Sequence, residues 1–308
     1  MAERERNRKK GFWASVKEQA RANRTTFIVY LILWIAVLVT MIRAIFLGNY
    51  EHVFLCILTF VLFMVPSFLE RTLKIEFPSA LEIIVVCFIF AAEILGEIGS
   101  YYTRVPFWDT LLHTVSGFLV AAVGFALVDI LNRDEHIKFQ LSPFYLALFA
   151  FCFALTIGVL WEFFELTVDV LLKKDMQKDT VVDFIYTVML DPNNSNVVVK
   201  KEGIADVILV YADGSQEALG LGGYLDVGLY DTMEDMFVNF IGATVFSVIG
   251  YFYVKRRGKG KLASKFIPVL ADDAKTRQKE EERDAPEGER EEPTGEVQET
   301  APLKEETE

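Results

Sequence analysis

The chain has 308 residues, is 52% hydrophobic with a mean hydropathy of +0.30, and carries a formal charge of −12. Its apolar residues fall in long blocks rather than amphipathic stripes, which excludes an ordinary soluble domain and indicates a membrane protein. From Ala271 onward 15 Asp/Glu face 6 Lys/Arg, so this tail alone supplies −9 and the net charge says nothing about a ligand.

Residues 1–26 are basic, with eight Lys/Arg against Glu3, Glu5 and Glu18. The apolar stretch that follows is too long for a signal-peptide core and lacks a small-residue cleavage site, so it reads as a first membrane helix. Further blocks follow near 51–69, 79–100, 109–131, 144–172 and 232–254. With the first, near 27–47, each is long enough to cross a hydrocarbon core, which takes about 20 helical residues. The expected fold is therefore an all-α polytopic membrane protein, with a six-helix membrane domain over residues 27–254.

Basic residues flank alternate ends of these blocks: the N-terminus, Arg71 and Lys74, Arg133 and Lys138, then Lys255, Arg256, Arg257 and Lys259. By the positive-inside rule this side is cytoplasmic, which places both termini in the cytoplasm and the 173–230 insertion outside. Within the insertion, Val207–Tyr211, a turn at Asp213-Gly214 and a return over Gln216–Leu221 predict a small β-hairpin. Residues 255–308 read as a basic flank and then a disordered acidic tail, suited to a cytoplasmic partner. The basic patch Lys255–Lys261 fits topology and anionic lipid headgroups, not nucleic acid. Cys56, Cys87 and Cys152 all lie in apolar blocks without metal-binding spacing, and read as small hydrophobes.

Four apolar blocks carry polar faces at three- and four-residue spacing: Glu93 and Glu97; Asp109 and His113; Glu162, Glu165 and Asp169; Asp231, Asp235 and Asn239. At 1.5 Å per residue all fall within about 16 Å of the outer boundary. Intramembrane ionisable residues usually line a bundle interior or a site, so these faces are expected to share one pocket. Arg104 and His113 cannot balance the carboxylates there. Either several carboxyls hold protons or a bound cation makes up the difference.

One histidine among many oxygens suits Mg²⁺, Mn²⁺ or Ca²⁺ better than a closed zinc site. In that assignment Glu162, Glu165, Asp231 and Asp235 hold the metal, with His113 as general base oriented by Asp109. Glu93, Glu97, Asp169 and Asn239 complete the pocket. The competing account of the same residues is a hydrogen-bonded network that fixes helix register. Tyr101, Tyr102, Phe107 and Trp108 read as an interfacial aromatic belt, and Trp161 as a lipid-facing or packing residue.

Three stretches carry a family resemblance: Glu93 to Gly117, Gly158 to Asp169 through Trp161-Glu162-Phe-Phe-Glu165, and Gly223 to Asp235. Together they resemble the YjdF-like bacterial inner-membrane proteins. The skeleton Asp109-x-x-x-His113, Glu162 and Asp235-x-x-x-Asn239-x-x-Gly242 is more distantly similar to VanZ-like membrane proteins, some of which are linked to glycopeptide resistance. This chain departs from that pattern in Glu165, where Gln is common, and in its long outer insertion. The resemblance implies a multi-pass protein of the cell membrane and supplies no reaction. Three classes remain open: an enzyme acting on an envelope lipid or lipid-linked substrate, a binder or carrier of a cation, proton or amphipathic molecule, and a membrane scaffold. No nucleophile elbow, phosphatase signature or paired-His zinc motif favours the first.

Overall fold

A computed structural model describes residues 23–73, 75–133, 141–256, 265–267 and 269–270. The expected basic N-terminus and the acidic tail beyond residue 270 lie outside these residues. Among the described residues six helical segments are long and apolar enough to span a bilayer: Arg24–Phe46, Tyr50–Thr72, Ser79–Ile98, Trp108–Asp129, Pro143–Leu172 and Leu229–Lys255. They match the six blocks in order, and the helix of the fourth span runs on to Arg133.

The burial pattern is that of a protein solvated by hydrocarbon. On the fifth span Phe144, Phe149, Leu160, Phe163 and Phe164 are exposed, while Leu146, Ala150, Ala154, Glu162 and Glu165 are buried. A water-solvated helix would reverse these two faces.

Two spans depart from regular α-helix. The second is interrupted at Phe63-Met64, between helices Tyr50–Leu62 and Val65–Leu73. Pro66, which has no N–H and whose ring crowds the preceding turn, accounts for the interruption. The third turns π-helical over Ala91–Ile98, and Gly99 N–H reaches back five residues to Ile94 O at 2.9 Å.

Among the described residues the bundle packs around two apolar cores. One joins spans one to three through Val37, Cys56, Phe63, Val86 and Ile94. The other joins spans four to six through Ala121, Phe125, Ala150, Ala154, Ala243 and Phe246. Glycines allow the second group its close approach. A Cβ at Gly242 would strike the Thr114 carbonyl, and a Cβ at Gly117 or Gly158 would strike Asn239. The Asn239 carboxamide is thereby wedged between spans four and five, with Nδ2 at 3.5 Å from Ala154 O.

The insertion holds three antiparallel pairs. The expected hairpin is present as β5 (Ile208–Val210) and β6 (Gln216–Ala218), with Leu209 opposite Glu217. Two further pairs join β3 (Phe184–Thr187) to β4 (Val199–Glu202), and β2 (Val181–Val182) to β7 (Tyr224–Leu225).

The start of the tail does not behave as a solvated linker. Ile267 is buried in the core of spans four to six, and the Phe266 ring packs edge-on against Phe118 with centroids 5.4 Å apart. β8 (Val269–Leu270) pairs with β1 (Ile75–Glu76) between the second and third spans. Phe266 and Ile267 form a short run, yet one apolar enough to be driven into the bundle.

Candidate functional site

The polar faces of spans four, five and six meet at the end of the bundle that carries the insertion. Asp109 lies on the first turn of span four and His113 one turn further in. His113 Nε2 is 3.6 Å from Asp109 Oδ1 and 3.7 Å from Asp235 Oδ2, and its Nδ1 is 4.0 Å from Glu162 Oε1. These separations exceed ordinary hydrogen-bond lengths, so the imidazole is surrounded by carboxylates and bonded to none. Asp109, His113 and Asp235 each offer a ligand atom within 4.8 Å of the others, and so do Glu162, Glu165 and Asp235.

Glu162, Glu165 and Asp235 are buried, at 5%, 7% and 3% exposure. Trp161 donates its indole N–H to Glu165 Oε1 at 2.8 Å, while Glu162 Oε2 is buried without a hydrogen-bond partner. Leaving a buried carboxylate oxygen unsatisfied costs on the order of 1–3 kcal/mol or more. Hard oxygens and one imidazole nitrogen thus converge from three helices, donors of the kind a hard cation takes.

Other expected pocket residues are engaged differently. Asp169, in the last turn of span five, accepts the Met176 and Gln177 amides at 2.6 and 2.9 Å. Asp231, in the first turn of span six, accepts the Lys178 amide at 2.8 Å and is in neither triad. These two carboxylates tie the 174–178 segment across the mouth, where Gln177 also donates to Thr232 Oγ1 at 2.6 Å. The Lys174–Glu51 ion pair, at 2.6 Å, links the same segment to the second span. Glu93 is half-buried and Glu97 exposed on the π-helical turn, outside both triads.

Two neighbours escaped the sequence reading. The Tyr102 ring lies against Gly96, where no Cβ would fit. Burial, and then the charges of Asp109, Glu97, Glu93 and Glu165, hold its hydroxyl proton on well above the usual phenol range. Tyr102 thus keeps a neutral hydroxyl at this end of the bundle and packs against the third span, beyond the belt role expected of it. Lys178, assigned to the loop, places its charge within range of Asp109, Asp231 and Glu97. An aromatic at a span end and a lysine in a long loop carry no local signal of such placement.

A family model described as "Predicted membrane protein (DUF2238)" matches residues 26–189. The chain belongs to this family. The match covers spans one to five, with Asp109, His113, Glu162 and Glu165, and ends before Asp235. The DUF2238 assignment agrees with the YjdF-like resemblance and fixes the protein as an integral membrane protein. A protein of Thermotoga maritima, named "Uncharacterized protein", is 26% identical over 143 residues, which cover 44% of this chain and 71% of that one. No solved structure matches.

Proposed function

We propose that this protein binds a hard divalent cation inside its bundle and uses it on an anionic, membrane-borne substrate such as an envelope lipid or lipid-linked intermediate. The observation that carries this reading is the convergence of Glu162, Glu165 and Asp235, with Asp109 and His113 beside them, among helices whose outer faces are largely apolar. A buried metal there would polarise a phosphoryl or acyl oxygen, and the protein groups next to it would hold or move protons. Asp231 serves this site by shaping its mouth.

A carrier reading is less well supported. Below the site the space between spans four and six is filled by Phe118, Phe125 and Phe246, whose rings pack edge-on. That packing suits a blind pocket better than a path through the bundle. Basic residues Arg71, Arg133, Lys255 and Arg256 follow the opposite ends of the helices, which supports a cytoplasmic location for those ends and a site in the outer half of the cell membrane.

The test is metal analysis of the purified full chain together with lipid profiling of membranes from cells carrying wild type or His113→Ala. Expected are bound Mg²⁺ or Mn²⁺ in the wild type and accumulation of one lipid class in the variant. A metal-free wild type with no affinity for added Mn²⁺ would overturn the reading.

A further inference from the structure

Two donor groups meet at one carboxylate. They share Asp235 and otherwise have different members: Asp109 and His113 on one side, Glu162 and Glu165 on the other. We infer that the site is built for a pair of divalent cations bridged by the Asp235 carboxylate. This inference rests on the cation reading proposed above.

Three observations lead to it. The first is spacing. Two ligands each about 2.1 Å from one metal stand about 3.0–3.6 Å apart for angles between octahedral and trigonal. His113 Nε2 lies 3.6 Å from Asp109 Oδ1 and 3.7 Å from Asp235 Oδ2, too far for hydrogen bonds and close to the separation two donors show across a shared ion. The imidazole nitrogen facing that gap is thereby assigned as a ligand of the first cation.

The second is the orphaned oxygen. Glu162 Oε2 is enclosed without a donor, and its partner Oε1 lies 4.0 Å from His113 Nδ1. Glu162 therefore stands between the two groups with one oxygen free for a second ion, alongside Glu165 and Asp235. Trp161 occupies Glu165 Oε1. That bond leaves the other oxygen of the carboxylate for the metal, the usual way an outer partner orients a ligand.

The third is charge. Asp109, Glu162, Glu165 and Asp235 carry four negative charges when ionised, around a histidine that is neutral as a ligand, while the neighbouring charges of Asp231 and Lys178 offset one another. One divalent cation leaves half of that charge uncompensated in a low-dielectric interior, and two neutralise it. Paired ions of this kind sit about 3.5–4 Å apart, a distance a single bridging carboxylate spans.

Manganese distinguishes the outcomes. The full chain, purified in detergent and stripped with chelator, is titrated with Mn²⁺, and bound metal per chain is read alongside its electron paramagnetic resonance spectrum. The expected result is two Mn²⁺ per chain, with the six-line signal of isolated ions giving way to a spin-coupled spectrum as the second site fills. His113→Ala should retain one Mn²⁺ with an isolated-ion signal, and so should Glu165→Gln, each reporting through the surviving site that the fold is intact. Asp235→Asn should abolish coupling and weaken both sites at least tenfold. One uncoupled Mn²⁺ per wild-type chain would overturn the pair while leaving the single-cation reading in place. No bound Mn²⁺ would overturn both.

Discussion

Trp161 and Glu165 lie one turn apart on the fifth span, joined by an indole N–H to carboxylate bond of 2.8 Å. Almost half of the Trp161 surface is exposed toward the hydrocarbon, whereas Glu165 is buried. A lipid-facing residue thus orients a carboxylate inside the bundle. Trp161→Phe keeps the aromatic bulk and removes the donor. Losing such an outer partner typically weakens metal binding by about 10–100-fold. The variant should therefore bind Mn²⁺ about tenfold more weakly, and an unchanged titration curve would remove this bond from the account of the site.

The packing around Asn239 yields a second expectation. Gly158 and Gly117 leave no room for a Cβ beside the carboxamide, and Gly242 none beside the Thr114 backbone carbonyl. Overpacking of this kind costs about 1–3 kcal/mol. Gly242→Ala meets rigid backbone, so it should lower the thermal midpoint in detergent more than Gly158→Ala, which meets only the end of the Asn239 side chain. Equal midpoints for both variants and wild type would show that spans four to six are not packed as described.

The contrast between those glycines and the carboxylates shows what a sequence of this type discloses. Six spans are legible because each must present an apolar block of bilayer length, and Asp109, His113, Glu162, Glu165 and Asp235 are legible because charge in such a block demands a reason. Spacing alone cannot tell that Asp169 and Asp231 also accept loop amides. Both stand in terminal turns of helices, where neighbouring loop amides need acceptors, and the amides of Met176, Gln177 and Lys178 reach them first. The β2–β7 pair joins residues some forty positions apart, so no local pattern announces it. The docking of Phe266 and Ile267 rests on a run too short to stand out beside the long apolar blocks.

The turn between β3 and β4 carries a pH dependence of calculable sign. Asp191 accepts the Asn193 amide at 3.1 Å, the Ser195 hydroxyl at 2.9 Å, and the amides of Val197 and Ser195 at 3.2 and 2.6 Å. These bonds, the Asn193 amide foremost, pull its carboxyl down to about 2. An unfolded Asp titrates near about 3.9. The stabilisation of the turn is therefore complete above that value and is lost as pH falls through about 2. Amide protection factors at Asn193, Ser195 and Val197 should hold from pH 7 to pH 4 and collapse between about 3 and 2. Asp191→Ala should lack the protection at every pH, and a wild-type profile flat down to pH 1.5 would contradict the assignment.

Sidedness decides which leaflet the pocket serves. Arg71, Arg133, Lys255 and Arg256 lie toward one end of the bundle, while the Asp109–Asp235 cluster and the β2–β7 insertion lie toward the other. Cytoplasmic retention of basic flanks is then expected to place Asn194 and Ser215 outside the cell and Gly11 inside it. With Cys56, Cys87 and Cys152 replaced by alanine, single cysteines at these three positions can be challenged with a membrane-impermeant maleimide in intact cells. Labelling is expected at 194 and 215 without permeabilisation, and at 11 only after it. The insertion lysines Lys173, Lys174, Lys178, Lys200 and Lys201 oppose this orientation, but charges in long loops weigh little in topology. The reversed labelling pattern would turn the mouth held by Asp169 and Asp231 toward the cytoplasm, and with it any substrate drawn from the outer leaflet would be excluded.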